Sequence, residues 1–462
     1  MSLSLHLEEL VYQADSCELF ERFADLPGAA FLDSCQGAPR AGRYDIITAQ
    51  PAKDSPQPLS AQASPAQCQN YFAELGQFQR ERYAGINSAA DLPFCGGLLG
   101  YLGYDSGMGL QGLAAKEDDE AHGPPLASLQ AYDWCIVQDH LLRRAVLVSL
   151  PTLAAAERQD YLSRARAART TTASSDFVLS ERFSSNLEAA EYREAFERIQ
   201  SYIRAGDCYQ VNLARRYNAS YQGEPWQAYR RLRAVAGAPF SAFLAMAEDS
   251  ALMSLSPERF IALRGSRVET RPIKGTRPRN MQDPAADRAL AEQLQSSSKD
   301  RAENLMIVDL LRNDLGRSCV PGSIRVEQLF AVESYPTVHH LVSTITGELE
   351  AERSALDLLR DSFPGGSITG APKRRAMEII AELEPHRRQH YCGSVAYISA
   401  DGRMDSNIAI RSLLCHSGQV LCWAGGGIVA DSDCTAEFQE TIDKVGQFLN
   451  CLEQSLKPVD KH

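Results

Sequence analysis

Between residues 186 and 206 the apolar side chains Tyr192, Phe196, Ile199 and Ile203 recur at helical spacing. Ser185 or Asn186 is the candidate N-cap and Gly206 the stop. The period then drops to two. Over 209–217, Val211 and Leu213 fall on one face and Gln210, Asn212 and Ala214 on the other, which predicts a strand. Further strands are predicted at 240–247, 251–255 and 260–263, and Asp283-Pro284 opens a helix. A second helix is predicted over about 299–315. The pattern closes with strands near 391–400, 406–414 and 419–424, a glycine turn, and a last helix over about 435–452.

Before residue 165 the apolar runs are shorter, as in Ala30-Phe31-Leu32 and Tyr44-Asp45-Ile46-Ile47. The glycines between Cys95 and Asp105 read as a tight strand crossing and not as a phosphate loop, because no amphipathic helix is predicted after them. Segments 51–66 and 111–125 read as surface loops, and the run from Arg169 to Asp176 as a linker. The expected division is therefore an N-terminal region 1–168, a linker 169–185 and a second region 186–453. There is no internal repeat.

Composition narrows the classes. A chain of 462 residues, 44% hydrophobic and 23% charged, has the make-up of an ordinary globular protein with a sizeable core. Its net charge of −12 argues against a nucleic-acid surface and obliges a small anionic substrate to find a local basic pocket. The first residues show neither the basic nor the apolar region of a signal peptide, and no apolar run reaches membrane-spanning length. Twelve cysteines stand singly, without CxxC or zinc spacing, so reduced thiols in a cytoplasmic protein are expected.

The candidate chemistry centres on Thr270-Arg271-Pro272-Ile273-Lys274-Gly275-Thr276-Arg277-Pro278-Arg279. Two prolines hold this run extended and Gly275 alone reaches positive φ freely, so Lys274 stands on a stiff ledge. Roughly one free lysine in a few thousand is uncharged at neutral pH. Neighbouring arginines and partial burial would both disfavour the ammonium and make Lys274 a nucleophile. A solvated basic turn is the other reading. Asp300 and Glu303 lie three apart on one predicted helix, and Glu437 and Glu440 three apart on another, with Lys444 a turn on. Two such pairs suit a magnesium ion that also takes water and substrate oxygens, or they are simply solvated helix faces. Phe363 to Lys373 is a glycine-rich turn entering a helix, with Pro372 near its first position and amides able to hold an anion. Gly425 to Gly427 is a second place for close backbone approach. Glu258 is either a general acid or the partner of Arg259.

Six segments in this order resemble the chorismate-utilising enzymes. They are Ser256-Pro257-Glu258-Arg259-Phe260, Pro272 to Thr276, Asp300-Arg301-Ala302-Glu303-Asn304, Asp309 to Asp314, Phe363 to Lys373, and Ala424 to Ile428. The resemblance implies an α/β (α+β type) fold like that of anthranilate synthase component I, with two interleaved halves of antiparallel sheet and outer helices around a central cleft. Within the family, isochorismate and salicylate synthases place a lysine base where this chain has Gln210, so those activities are not expected. Lys274 itself is the mark of the aminodeoxychorismate synthase branch. That branch implies amination of chorismate at C4 with ammonia, through an adduct of Lys274 at C2, with Glu258 as acid.

By the same resemblance Mg2+ is expected between Glu303 and Glu440, with Asp300 and Glu437 holding its waters. Ser367 and the amides of Gly425, Gly426 and Gly427 would hold carboxylates. Tyr391 and Arg411 would grip the enolpyruvyl group, with Gln210, Thr276, His340 and Lys444 completing the substrate pocket. The resemblance also implies a separate glutamine amidotransferase subunit as a source of ammonia. Leu32-Asp33-Ser34, Arg43-Tyr44 and Pro239-Phe240-Ser241 partly match the family's tryptophan site, making Ser34, Arg43, Tyr44, Pro239, Phe240 and Ser241 candidates for it. Two other readings stay open: an anthranilate synthase component I with an unusual lysine, and a tryptophan-binding regulatory subunit with an inactive site.

Overall fold

The strand Trp134–Asp139 shows why two layers of sheet form. Its Trp134 and Ile136 join an apolar cluster with Phe23, Tyr161 and Phe448, while Cys135 and Val137 join another with Leu99, Tyr101 and Val395. A strand that is apolar on both faces has to be covered on both. In the computed structural model, which describes residues 4–35, 42–86, 91–114, 116, 123–167, 175–246, 250–335 and 338–456, the cover is a second sheet on one side and helices on the other.

Among the described residues the first sheet has thirteen strands. Its main path runs His6–Leu10, Arg144–Ser149, Trp134–Asp139, Tyr44–Thr48, Ala30–Asp33, Phe240–Ala245, Ala251–Ser256, Ser412–His416, Gln419–Ile428, Gln210–Gln222, Gly370–Ala371. The second has nine strands, along Ile273–Pro278, Val338–Glu348, Arg267–Thr270, Arg259–Arg264, Met404–Asn407, Ser394–Ser399, Gly97–Leu102, Ala127–Tyr132, with Arg325–Ser334 beside Val338–Glu348. The pairings are antiparallel, and strands from before residue 150 pair in both sheets with strands from after residue 239. This is the expected interleaved α/β architecture. Helices Pro65–Arg82, Ser298–Leu315, Ala355–Ser362 and Lys373–Leu383 contribute to the largest core cluster, and Pro225–Ala236 and Cys434–Glu453 to the core outside the first sheet. Among the described residues no helix is long and apolar enough to cross a membrane, and all twelve cysteines are free.

Local signals held where they depended on few neighbours. The helix expected to stop at Gly206 spans Ala189–Ala205, with Gly206 left-handed at φ 83°. It begins later than Ser185 or Asn186, because Glu188 and Glu191 form a reciprocal cap there. Asp283 caps Pro284–Ser296 as expected, accepting from the amides of Ala285 and Ala286.

Three expectations are corrected. The strand read at 406–414 is two strands, Met404–Asn407 in the second sheet and Ser412–His416 in the first, and the chain crosses between sheets from Ile408 to Arg411. Gly425 to Gly427 form no turn; they continue the strand Gln419–Ile428, with Gly426 opposite Leu213. A short helix, Tyr104–Leu110, does follow the Cys95 glycine run, but nearly every residue of it is buried, so it has no polar face to show in the pattern. Of the expected linker and loops, residues 168–174 and 117–122 lie outside the described residues, while Val178–Leu179 and Ser184–Ser185 pair with Gln210–Gln222.

Candidate active site

The ledge that carries Lys274 is an edge strand, Ile273–Pro278, with a bulge in it. Its register against Val338–Glu348 slips between Ile273 and Thr276. Gly275 takes φ 85° inside that slip, and a Cβ there would stand 2.8 Å from Leu294 and 2.9 Å from the Asp300 carboxylate. Only glycine fits both the angle and the gap. The bulge turns Lys274 into a cavity of about 630 Å³ between the two sheets, closed on one side by helices Ser298–Leu315 and Cys434–Glu453.

Within this cavity the Lys274 amine donates to the Ser367 carbonyl at 3.4 Å, and the Ser367 hydroxyl donates to Glu258 Oε1 at 3.3 Å. Burial pushes the Glu258 carboxyl up to about 7, with the Lys274 charge restraining the rise. Burial also pushes Lys274 below its ordinary value; Glu258 and Glu303 oppose that shift and Lys444 reinforces it. The expected role of the neighbouring arginines is overturned. Arg271 pairs with Glu333, Arg277 with Asp300 and Arg279 with Asp287, so their charge is spent on carboxylates. The reading of Glu258 as partner of Arg259 also falls, since Arg259 bonds Asp405 and Glu269.

Around this pair the cavity is lined by Thr276, His340, Ser367, Tyr391, Arg411, Gly425, Gly427 and Lys444. The Thr276 hydroxyl meets His340 Nδ1 at 2.9 Å, and burial together with Arg411 lowers His340 to about 4, so the imidazole is neutral near pH 7. Arg411 stands at the sheet crossing with φ 52°, and among the described residues no hydrogen bond or ion pair reaches its guanidinium. Tyr391 lies parallel to Trp423 with centroids 6.4 Å apart. Lys444 donates to the Gly425 carbonyl at 2.8 Å.

Two expected residues stay out of the wall. Gln210 is buried behind Gly427, where an added Cβ would meet the Gln210 amide at 3.0–3.2 Å, and among the described residues its Nε2 has no partner. Gly426 is not among the lining residues; a Cβ there would stand 2.9 Å from Glu437 Oε2. Asn212 and Trp423 line the cavity and were not singled out as site residues. For Asn212 the signal was present, because alternation put it on the face of Gln210.

Asp300, Glu303, Glu437 and Glu440 all face the same cavity from the two helices. Glu437 is 6% exposed, which rejects a solvated helix face for it. Burial raises Glu303 and Glu437, and the like charges of Asp300 and Glu440 add to the rise at Glu303. Each acid now leans on a protein partner: Asp300 on Arg277, Glu303 on Lys299, Glu437 on Ser432, Glu440 on Lys444. Among the described residues no three such side chains form one ligating group. Hard oxygen donors repelling one another across a cleft fit a magnesium ion held by one or two carboxylates, with water and substrate completing its shell.

A second cavity of about 290 Å³ lies between the sheets and is lined by Arg43, Tyr44, Pro239, Phe240 and Ser241. Ser34 does not line it; its hydroxyl and amide are turned to Asp45 at 2.7 and 2.8 Å.

A model of the family described as chorismate binding enzyme matches residues 29–450. The chain is 46% identical over 458 residues to aminodeoxychorismate synthase component 1 of Klebsiella aerogenes, covering 98% of this chain and 100% of that one. It is 52% identical over 363 residues to the protein of that name from Salmonella typhimurium, covering 79% and 78%. The structure is similar to that of anthranilate synthase component I from Streptococcus pneumoniae, with TM-score 0.75 and 29% identity over 88% of this chain and 92% of that one. The matched span takes in both sheets apart from the outermost strand His6–Leu10, and every side chain that lines the larger cavity, and on that ground the chain belongs to the chorismate binding enzyme family.

Proposed function

We propose that the chain aminates chorismate at C4 with ammonia, giving 4-amino-4-deoxychorismate and water. The observation that carries this reading is the Lys274–Ser367–Glu258 chain: a buried amine pushed toward neutrality, one residue away from a carboxyl that burial keeps partly protonated near pH 7. The neutral Lys274 amine adds to C2, the ring double bonds shift, and the C4 hydroxyl leaves as water with the Glu258 proton. Ammonia then adds at C4, the double bonds return, the C2–nitrogen bond breaks to free the Lys274 amine, and the new C4 ammonium gives a proton back to Glu258. Arg411, without a partner among the described residues, is placed to clamp a substrate carboxylate, and neutral His340 and Thr276 stand beside Lys274 to orient the ring. Tyr391 and Trp423 offer an apolar wall to the enolpyruvyl side.

Mg2+ bound by Glu303 and Glu440, with Asp300 and Glu437 on its waters, would neutralise the ring carboxylate. Ammonia reaches the site free in solution or from a separate glutamine amidotransferase subunit, a reading supported by the "component 1" in the relatives' names. Incubation with chorismate, an ammonium salt and Mg2+ tests the proposal. Aminodeoxychorismate without pyruvate is the expected outcome; anthranilate with released pyruvate would replace it with the anthranilate synthase reading.

The second cavity supports an additional reading, a tryptophan site on Arg43, Tyr44, Pro239, Phe240 and Ser241. Calorimetric titration with tryptophan tests it, and loss of the heat signal in Ser241→Trp is expected. Heat that persists in that variant would move the site elsewhere.

A further inference from the structure

Directly behind the cavity wall lies a guanidinium that the chemistry above does not use. Arg388 is 1% exposed. Its Nε and Nη2 donate to the two Glu384 oxygens at 2.9 and 2.7 Å, its Nη1 to the Ile368 carbonyl at 3.0 Å, and its Nη2 also to the Asn212 carbonyl at 2.9 Å. Glu384 Oε1 in turn accepts from the Ala214 amide at 2.8 Å. The guanidinium carbon sits 4.7 Å from the Tyr104 ring centre and 5.8 Å from that of Tyr391. Two other segments, at Asn212 and Ile368, thus meet on one planar cation, Tyr391 packs beside it from the cation's own segment, and all three are wall residues of the cavity.

The Ile368 contact matters most. Ile368 follows Ser367, whose carbonyl receives the Lys274 amine and whose hydroxyl holds Glu258. A buried ion pair adds little net stability over an apolar pair of equal volume. A guanidinium fork, however, has fixed donor directions and so sets where its acceptors lie. We propose that the Arg388–Glu384 pair is the positioning element that holds Asn212, the Ile368 carbonyl with the Ser367 residue before it, and Tyr391 in one arrangement around the substrate. This rests on the amination reading of the same cavity.

Two variants test it beside the wild type: Arg388→Lys, which keeps the charge and loses the fork, and the double variant Glu384→Gln with Arg388→Met, which removes both charges and leaves neither unpaired. Amination with ammonium and thermal unfolding are measured on each. The expected result is a folded protein whose KM for chorismate changes less than about threefold while kcat falls about a hundredfold, the scale of a misplacement of about 1 Å. The alkaline limb of the pH profile moves upward as well, because a loosened Ser367 hydroxyl no longer favours the Glu258 carboxylate. A merely structural pair would lower the melting temperature and leave kcat per folded molecule and the pH profile where they were. Folded variants with wild-type kcat, or failure of both variants to fold, overturn the proposal. A wild type that does not aminate chorismate sinks the reaction reading instead. The pair is then judged on chorismate-dependent Trp423 emission, which the variants abolish if it sets the wall and leave intact if it does not.

Discussion

The two walls of the larger cavity are built on opposite terms. Lys274, Ser367 and Glu258 sit on strand edges and a tight turn, drawn together by a bulge that only Gly275 tolerates, and burial shifts both ionisable groups toward neutrality. Facing them, four carboxylates project from two helices, each leaning on a partner, Arg277, Lys299, Ser432 or Lys444, with burial raising Glu303 and Glu437 while Lys444 holds Glu440 below its ordinary value. The first wall is preorganised and holds little net charge. The second is held by contacts that a competing cation or substrate could exchange. On the proposed reading the cleft would divide its labour: covalent and proton chemistry at the wall where burial shifts both groups, ion binding where partners can be traded.

Four measurements would break or sharpen that division. The largest effect is expected for Lys274→Ala, which should slow amination by at least about a thousandfold, as loss of a nucleophile does, while chorismate still binds. Intact-mass analysis of a trapped reaction should place an adduct on Lys274, and near-wild-type turnover in the alanine variant would rule out covalent catalysis.

Next comes Glu258→Gln, with a loss on the order of 10²–10⁴-fold in kcat. The same variant has a stability signature. Glu258 binds its proton more tightly folded, at about 7 against an ordinary 4.5, so the folded state carries more protons between those values and stability falls as pH rises through that window. The fall amounts to about 3 kcal/mol, and the glutamine variant should lack it in unfolding titrations at pH 4, 6 and 8. An unchanged slope would mean that Glu258 is ionised throughout.

On the opposite wall, Glu440→Gln should weaken the dependence on Mg2+ by about tenfold or more while changing stability by less than about 1 kcal/mol, since its pair with Lys444 is half exposed. Equal loss of both would make Glu440 a structural residue and remove the contrast between the walls. The smallest effect is expected for Gly427→Ala. Its methyl would press on the Gln210 amide, and a cost of about 1 kcal/mol in thermal unfolding measures how tightly that residue is held behind the wall.

Much of the site was legible because its residue types and order are specific, yet the reasons attached to some residues were not. Arg271, Arg277 and Arg279 stand next to Lys274 in sequence and so looked like the source of its shift. In space each is paired with an acid outside the run, Glu333, Asp300 or Asp287, and burial does the work instead. Gln210 and Asn212 share a strand face, but the absence of a side chain at Gly427 draws Gln210 behind the wall and leaves Asn212 in it. The run at 406–414 reads as one strand because alternation carries no mark of which sheet a residue joins; Arg411 owes its place to the crossing that this reading concealed. Arg388 gave no signal at all, since a buried guanidinium looks like a surface one until its partners are known.

By itself the sequence determined the chemistry available, the helix stops and strand periods, and the kinship that pointed to chorismate, because these depend on residue identity and on neighbours within a turn or two. The tertiary structure alone decided which strand edges pair, which charges are spent on one another and which side chains lose water. Those outcomes rest on contacts that no local pattern announces, some between residues eight apart, as in Arg279 and Asp287, and some between residues 109 apart, as in Ser367 and Glu258, and they bring Lys274 and Glu258 into one cavity where burial shifts both.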